Sequence, residues 1–156
     1  MVGFHGGKKT DTKQIEELEG MLGVTFPESY RQFIQENDGV RLSPNVVSFG
    51  DVECGVSEFI PIREIVDDLE TLNWDGPFVV PFAWGDGGNR FAFDVENGYC
   101  VVFLDHEIAN KKAKVSSSFE SFFDKILPWN DDEVALGEYE VLSTWVDPSF
   151  VPEFDD

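Results

Sequence analysis

Histidine, cysteine and cationic side chains are the scarce residues of this 156-residue chain. Its two cysteines, Cys54 and Cys100, lie far apart and form no C-x-x-C pair, so a zinc or thioredoxin-type site has no support and buried thiols are expected. Its two histidines are His5, near the start, and His106, within Asp105-His106-Glu107. Neighbouring strand residues point to opposite faces and no second His or Cys completes a ligand set, so no metal is expected at that triplet. Cationic residues number 11 against 31 acidic ones, a formal charge of −20. That excess repels phosphate backbones and anionic lipid heads, which excludes direct nucleic-acid and membrane-surface binding as default functions. No apolar run approaches a membrane span, and Lys8-Lys9 lead into Thr10-Asp11-Thr12-Lys13 instead of the apolar core of a signal peptide, so a cytoplasmic location is expected.

What the chain has in quantity is aromatic surface. Fifteen Phe, four Trp and three Tyr make 14% of the residues, within a 42% hydrophobic total. A chain of this length with that payload builds one domain around one core, without staples. The acid is unevenly placed: residues 126–156 hold nine acidic side chains and no Lys or Arg. Such a block reads either as a solvated tail or as a docking surface for a cationic partner, the second supported by Trp129, Tyr139, Trp145, Phe150 and Phe154 interleaved with the acids. Residues 1–10 are expected as a flexible lead, 11–128 as the domain, and 129–156 as an acidic aromatic extension packed on it.

Asp11-Thr12-Lys13-Gln14 has the form of a helix cap, and Ile15, Leu18, Met21 and Leu22 follow at helical spacing up to Gly23. Phe26-Pro27 opens a second helix with Tyr30, Phe33 and Ile34 on its buried stripe, closed by Asn37-Asp38-Gly39. Short extended pieces are expected at Val46 to Phe49 and Val56 to Ile60, separated by the acidic stretch 50–55, before a third helical stripe at Ile62, Ile65, Val66, Leu69 and Leu72. Phe78 to Trp84 reads as a strand covered on both faces, with Pro81 marking an edge or a bulge. Turns at Gly85-Asp86-Gly87-Gly88-Asn89 and Glu96-Asn97-Gly98 then make a three-strand meander ending in Tyr99 to Leu104. One serine of Ser116-Ser117-Ser118 caps a last helix carrying Phe119, Phe122, Phe123, Ile126 and Leu127, ended by Pro128. Residues 138–146 fit an edge strand or a short helix equally. The order of elements predicts an α+β domain whose largely antiparallel central sheet is flanked by helices.

Catalysis finds little purchase. Gly85-Asp86-Gly87-Gly88-Asn89 lacks the lysine and following helix of a phosphate loop and the ligand spacing of a calcium loop, so it reads as a structural turn. Cys100 and His106 are about 20 Å apart along an extended chain, too far for a nucleophile and its base without a sharp reversal. Adjacent acids such as Asp67-Asp68 read as solvated. The chain is expected to be no enzyme and to need no cofactor.

Five segments in order resemble the SUKH superfamily, which covers bacterial immunity proteins of polymorphic toxin systems and a fungal cell-wall synthesis regulator. They are Ile15-Glu16-x-Leu18-Glu19; Phe26-Pro27-x-x-Tyr30-x-x-Phe33-Ile34 with Asn37-x-Gly39; Pro81-Phe82-Ala83 with the glycine-rich turn; Val101-Val102-Phe103 to His106; and Ser118-Phe119-Glu120-Ser121-Phe122-Phe123. Phe26 stands where that superfamily usually has leucine, and the residues after Pro128 fall outside the resemblance. The resemblance implies a non-catalytic cytoplasmic antidote that grips a cognate protein toxin, often a nuclease; the alternative it implies is a regulatory scaffold that binds a host protein. An acidic inhibitor suits the basic substrate surface of a nuclease. The toxin contact is expected from Asp51, Glu53, Glu58, Asp86, Asp105 and Glu107, with Trp84 as an aromatic anchor and the acidic extension as a second candidate surface.

Overall fold

Strand β6 (Val79–Gly85) forms the centre of the molecule: every residue of it except Trp84 is buried, as its apolar run predicts. Antiparallel partners β7 (Arg90–Asp94) and β8 (Cys100–Leu104) complete the expected meander. The computed structural model describes residues 2–72, 74, 78–105 and 112–128. Pro81 cannot donate to the ladder, and the register shifts between Pro81 and Ala83, so of the two options it marks a bulge inside the sheet, not an edge. With β1 (Phe4–His5), β2 (Arg41–Leu42), β5 (Val56–Phe59) and β9 (Lys112–Ser116), these strands form a seven-stranded antiparallel sheet in the order β1-β2-β5-β6-β7-β8-β9. A second, three-stranded sheet runs β10-β3-β4, built from β3 (Asn45–Phe49), β4 (Val52–Cys54) and β10 (Leu127–Pro128).

The helices follow their caps. Helix α1 (Thr12–Leu22) starts where the Asp11 carboxylate accepts the Gln14 N–H at 2.9 Å, and stops at Gly23, whose φ of 71° suits a left-handed cap. The Gln14 side chain turns to the Thr10 hydroxyl, so only the Asp11 half of the expected box forms. Helix α2 (Glu28–Asn37) buries Tyr30 and Ile34, and a turn of 3-10 helix at Ile62–Glu64 leads into α3 (Ile65–Leu72). Ser118 is the serine that caps α4 (Phe119–Asp124): its Oγ accepts the Ser121 N–H at 3.1 Å while Ser121 Oγ accepts the Ser118 N–H.

One face of the large sheet meets α1, α2 and α4 through a continuous aromatic core. Phe82 stacks on Phe93 with centroids 4.4 Å apart and on Phe59 at 6.2 Å, and Tyr30, Phe119 and Phe122 pack around them edge-on or tilted. Each such burial contributes about 1.5–3 kcal/mol and each ring pair adds about 0.5–1.5 kcal/mol, so this cluster dominates the folding energy. The opposite face is closed at one place by α3, where the buried Asp68 carboxylate takes both arms of Arg90 (Nε at 2.8 Å, Nη2 at 3.0 Å) and the Trp84 indole N–H at 3.0 Å.

Three expectations need correction, and one further strand, β9, appears where none was expected. The lead is paired: β1 lies on β2, and Lys8 exchanges backbone hydrogen bonds with Asp38 at 3.0 and 2.8 Å. The acidic stretch 50–55 contains strand β4, because Gly50 (φ 57°) turns the chain back on β3. Lys112 and Lys114 lie in strand β9, which adds to β8; the Lys112 ammonium is spent on the buried Asp94 carboxylate. Helix α4 ends at Asp124, not at Pro128. Proline disfavours a helical conformation in the residue before it, so Leu127 is extended and pairs with Val46. The segment 138–146 and the rest of 129–156 lie outside the described residues, as does His106.

Candidate functional site

A buried side-chain amide helps to join the two sheets. Asn45, buried at the start of β3, offers its amide as if it were a strand: Oδ1 accepts the Val56 N–H at 2.8 Å and Nδ2 donates to the Val56 carbonyl at 2.7 Å, with a further bond to the Ser43 carbonyl at 2.9 Å. A buried amide with these partners is satisfied, and it ties β3 of the small sheet to β5 of the large one. Between β4 and β5 the chain turns at Gly55. A methyl group there would stand 2.5 Å from the Asn45 carbonyl oxygen and 2.5 Å from the Asp86 carboxylate, so only glycine lets the Asp86 side chain settle on this corner. The Asp86 N–H donates to the Gly55 carbonyl at 3.0 Å, and Gly87 and Gly88, at φ 78° and 88°, carry the turn from β6 back into β7.

This corner opens into a groove of about 800 Å³. Leu42, Pro44, Val46, Val52 and Phe103 supply its apolar lining; Glu53, Asp86 and Asp105 supply its charge; and among the described residues lining it there is no Lys or Arg. Three carboxylates on one concave surface, with no Lys or Arg among its described walls, give that surface an acidic character. Cys54 closes the floor. Its Sγ donates to the Gly55 carbonyl at 3.4 Å and packs so close to Gly85 that a Cβ there would lie 3.0 Å away. Burial pushes the Cys54 thiol up; the hydrogen bond to the Asp86 backbone opposes this, and the Asp86 and Asp105 charges add to it, so the net effect favours the neutral thiol. Among the described residues no group of three or more His, Cys, Asp or Glu is disposed to hold a metal ion.

Of the seven residues expected to contact a partner, the fold gathers Glu53, Asp86 and Asp105 in the groove. Asp51 is exposed on the tight turn joining β3 and β4, outside the lining. Glu58 and Trp84 are cross-strand neighbours on the other side of the sheet. Burial pushes the Glu58 carboxyl up and Glu64 adds to that, while Arg41 opposes it. Trp84 is half-buried, with its polar edge committed to Asp68. Glu107 lies outside the described residues. Sequence reasoning missed Asn45 and Gly55, which build the corner; a lone Asn and a lone Gly carry no signal until the sheets that cross there are known.

The groove walls and the glycine-rich turn fall inside a match, over residues 9–125, to the sequence model described as the SMI1 / KNR4 family (SUKH-1). That match spans three quarters of the chain. The chain belongs to the SMI1/KNR4 family. This is the superfamily that the five segments resemble, and it includes toxin-immunity proteins. The chain is also similar to the uncharacterized protein YnaB of Bacillus subtilis (strain 168), at 22% identity over 132 residues, covering 81% of this chain and 83% of that protein. The family match stops before β10. Among the described residues no helix is long and apolar enough to cross a membrane.

Proposed function

We propose that this SMI1/KNR4 domain is an immunity protein: it binds a cognate, positively charged protein toxin and blocks that toxin's working surface without transforming anything. The observation that carries the reading is the groove itself, which sets Glu53, Asp86 and Asp105 among apolar walls, with no Lys or Arg in its described lining. A charged, partly apolar concavity of this size takes the side chains of a short protein segment: the apolar walls give contact area and the carboxylates give orientation and fast encounter. A formal charge of −20 supports the same partner class, and a toxin that acts on nucleic acid carries the matching basic surface. The raised Cys54 thiol supports binding over nucleophilic catalysis. Immunity of this kind acts in the compartment where the toxin does its damage, which for a nuclease is the cytoplasm.

The test is co-expression with candidate toxins encoded beside the gene. Growth should be rescued by the wild-type chain and lost with Glu53→Gln/Asp86→Asn/Asp105→Asn, and the purified complex should weaken steeply as salt rises, because exposed charge attraction is screened over about 10 Å at 0.1 M. Cells that die in the presence of the wild-type chain, with no complex at low salt, would overturn the assignment. A partner recovered instead from the signalling machinery, with no toxin bound, would point to the scaffold alternative.

A further inference from the structure

All three residues of β4 line the groove, although Val52 and Cys54 lie on one face of their sheet and Glu53 on the other. The turn residues Gly50 and Asp51 are not in that lining, so the groove runs along the edge of β4 and not around the hairpin tip. Among the described residues β4 has a neighbour, β3, on one side only. Register decides what the other side offers. Phe49 faces Val52 across a two-residue turn, which makes Phe49–Val52 the closing hydrogen-bonded pair, Ser48–Glu53 the open pair, and Val47–Cys54 hydrogen-bonded again. The Glu53 N–H and C=O therefore point away from β3, on the groove side. The other outer strands suit a basic guest less well: β1 and β10 have two residues each, β10 with a proline, and β9 presents the exposed Lys114. In β4, by contrast, Val52 and Glu53 are both exposed, and its one charge is negative.

We infer that the groove takes an extended, basic segment of the partner protein as an added strand on β4, its backbone paired with Glu53 and its cationic side chains met by the Glu53 and Asp86 carboxylates. The inference rests on the groove being the partner site and adds the mode of binding. An added strand lies about 4.8 Å from its neighbour and rises about 3.3 Å per residue, so three residues of the segment run the length of β4. Two main-chain hydrogen bonds at Glu53 fix the direction and register of that segment without reading its sequence. Preference comes from the walls: Val52 and Phe103 take apolar side chains, and the carboxylates favour a basic strand while repelling an acidic one. The same repulsion argues against a second copy of this chain, at a formal −20, as the occupant. At the far end the Gly55 carbonyl already accepts the Asp86 N–H, so the pairing stops where the chain turns into β5.

The experiment uses the full chain and a fluorescent decapeptide of alternating arginine and leucine as probe, at roughly 20 mM salt. Glu53→Gln removes the charge alone. Glu53→Pro removes the charge and the outward N–H, and because β3 does not use that N–H the β3–β4 ladder stays whole. Glu53→Gln should weaken the peptide about tenfold and Glu53→Pro about tenfold more, with circular dichroism unchanged in both. A second measurement needs no variant: in the wild-type chain the Glu53 amide should exchange quickly with solvent when free and at least tenfold more slowly with the peptide bound. Two further peptides, N-methylated at every arginine or at every leucine, each block one edge of the added strand, and at least one of them should bind about tenfold more weakly. Glu53→Pro binding as well as Glu53→Gln, a Glu53 amide already protected in the free chain or unprotected in the complex, or both methylated peptides binding like the parent would overturn strand addition and leave the groove reading standing. The variant Glu53→Gln/Asp86→Asn/Asp105→Asn binding the parent peptide like wild type would overturn the groove reading itself.

Discussion

Two sets of carboxylates in this molecule have the same chemistry and opposite employment. Asp68 and Asp94 are buried, and each is matched by a cation from another element: Arg90 of β7 grips Asp68 through two nitrogens, and Lys112 of β9 meets Asp94. Glu53, Asp86 and Asp105 stand together in a groove whose described lining contains no cation. The first set holds elements together across the fold; the second lies on a concave surface whose described walls hold no Lys or Arg. An acidic residue is thus assigned its role by what the tertiary structure places opposite it.

That contrast is broken most forcefully at Asp68. Asp68→Ala leaves the Arg90 guanidinium and the Trp84 indole N–H without their acceptor, and urea unfolding should show a loss of about 3–5 kcal/mol. A loss under about 1 kcal/mol would show that the pair is no stronger than a surface bridge. Next comes the joint between the sheets. Asn45→Ala strips the Val56 N–H and carbonyl of their buried partners and should cost about 2–3 kcal/mol, with faster amide exchange at Val56 as the local signature.

Asp94 sharpens the comparison through pH. Burial pushes its carboxyl up, but hydrogen bonds from Lys112 and Asn97 and the ammonium charge outweigh that and hold it below the usual carboxylate range. A depressed acid stabilises the fold fully above its unfolded value, about 3.9, and that contribution disappears as pH falls through the lower folded value. The stability gap between wild type and Asp94→Asn should therefore stay constant near neutrality and close in acid; a gap unchanged down to about pH 2 contradicts the pairing. Smaller still is Tyr30→Phe. Among the described residues the buried Tyr30 hydroxyl has no hydrogen-bond partner, and burial, with the Asp38 charge, pushes its ionisation far up. Removing it should leave stability unchanged or raise it by about 1 kcal/mol, measured as the urea midpoint. The smallest effect on stability belongs to the groove: Glu53→Gln/Asp86→Asn/Asp105→Asn should move unfolding by about 0.5 kcal/mol or less while removing partner binding.

Much of this fold is legible along the chain because its signals are local. The Asp11 and Ser118 caps, the Gly23 stop, the Tyr30-Phe33-Ile34 stripe and the Val79-to-Trp84 run each act within a turn or a strand, and each appears where the residues put it. Strands β1, β4, β9 and β10 were not legible, since two to five residues such as Phe4-His5 or Lys112-Ala113-Lys114 become strands only when a partner edge is offered. The site divides the same way. Glu53, Asp86 and Asp105 are predictable as acids near turns, yet nothing in their spacing separates them from Asp51 or Glu58, and Trp84 reads as an open anchor until Asp68 is seen beneath its indole.

Order of residues alone settled the class of the domain, its helices and central strands, the sign of any partner it attracts and the family it belongs to, because propensity, periodicity and net charge are properties of neighbours and of sums. Folding in three dimensions settled which carboxylates are spent on Arg90 and Lys112 and which line a groove, and it set residue 128 beside Asn45. Those facts depend on contacts between residues tens of positions apart, whose strengths are fixed by distance and burial in space and leave no trace in local sequence.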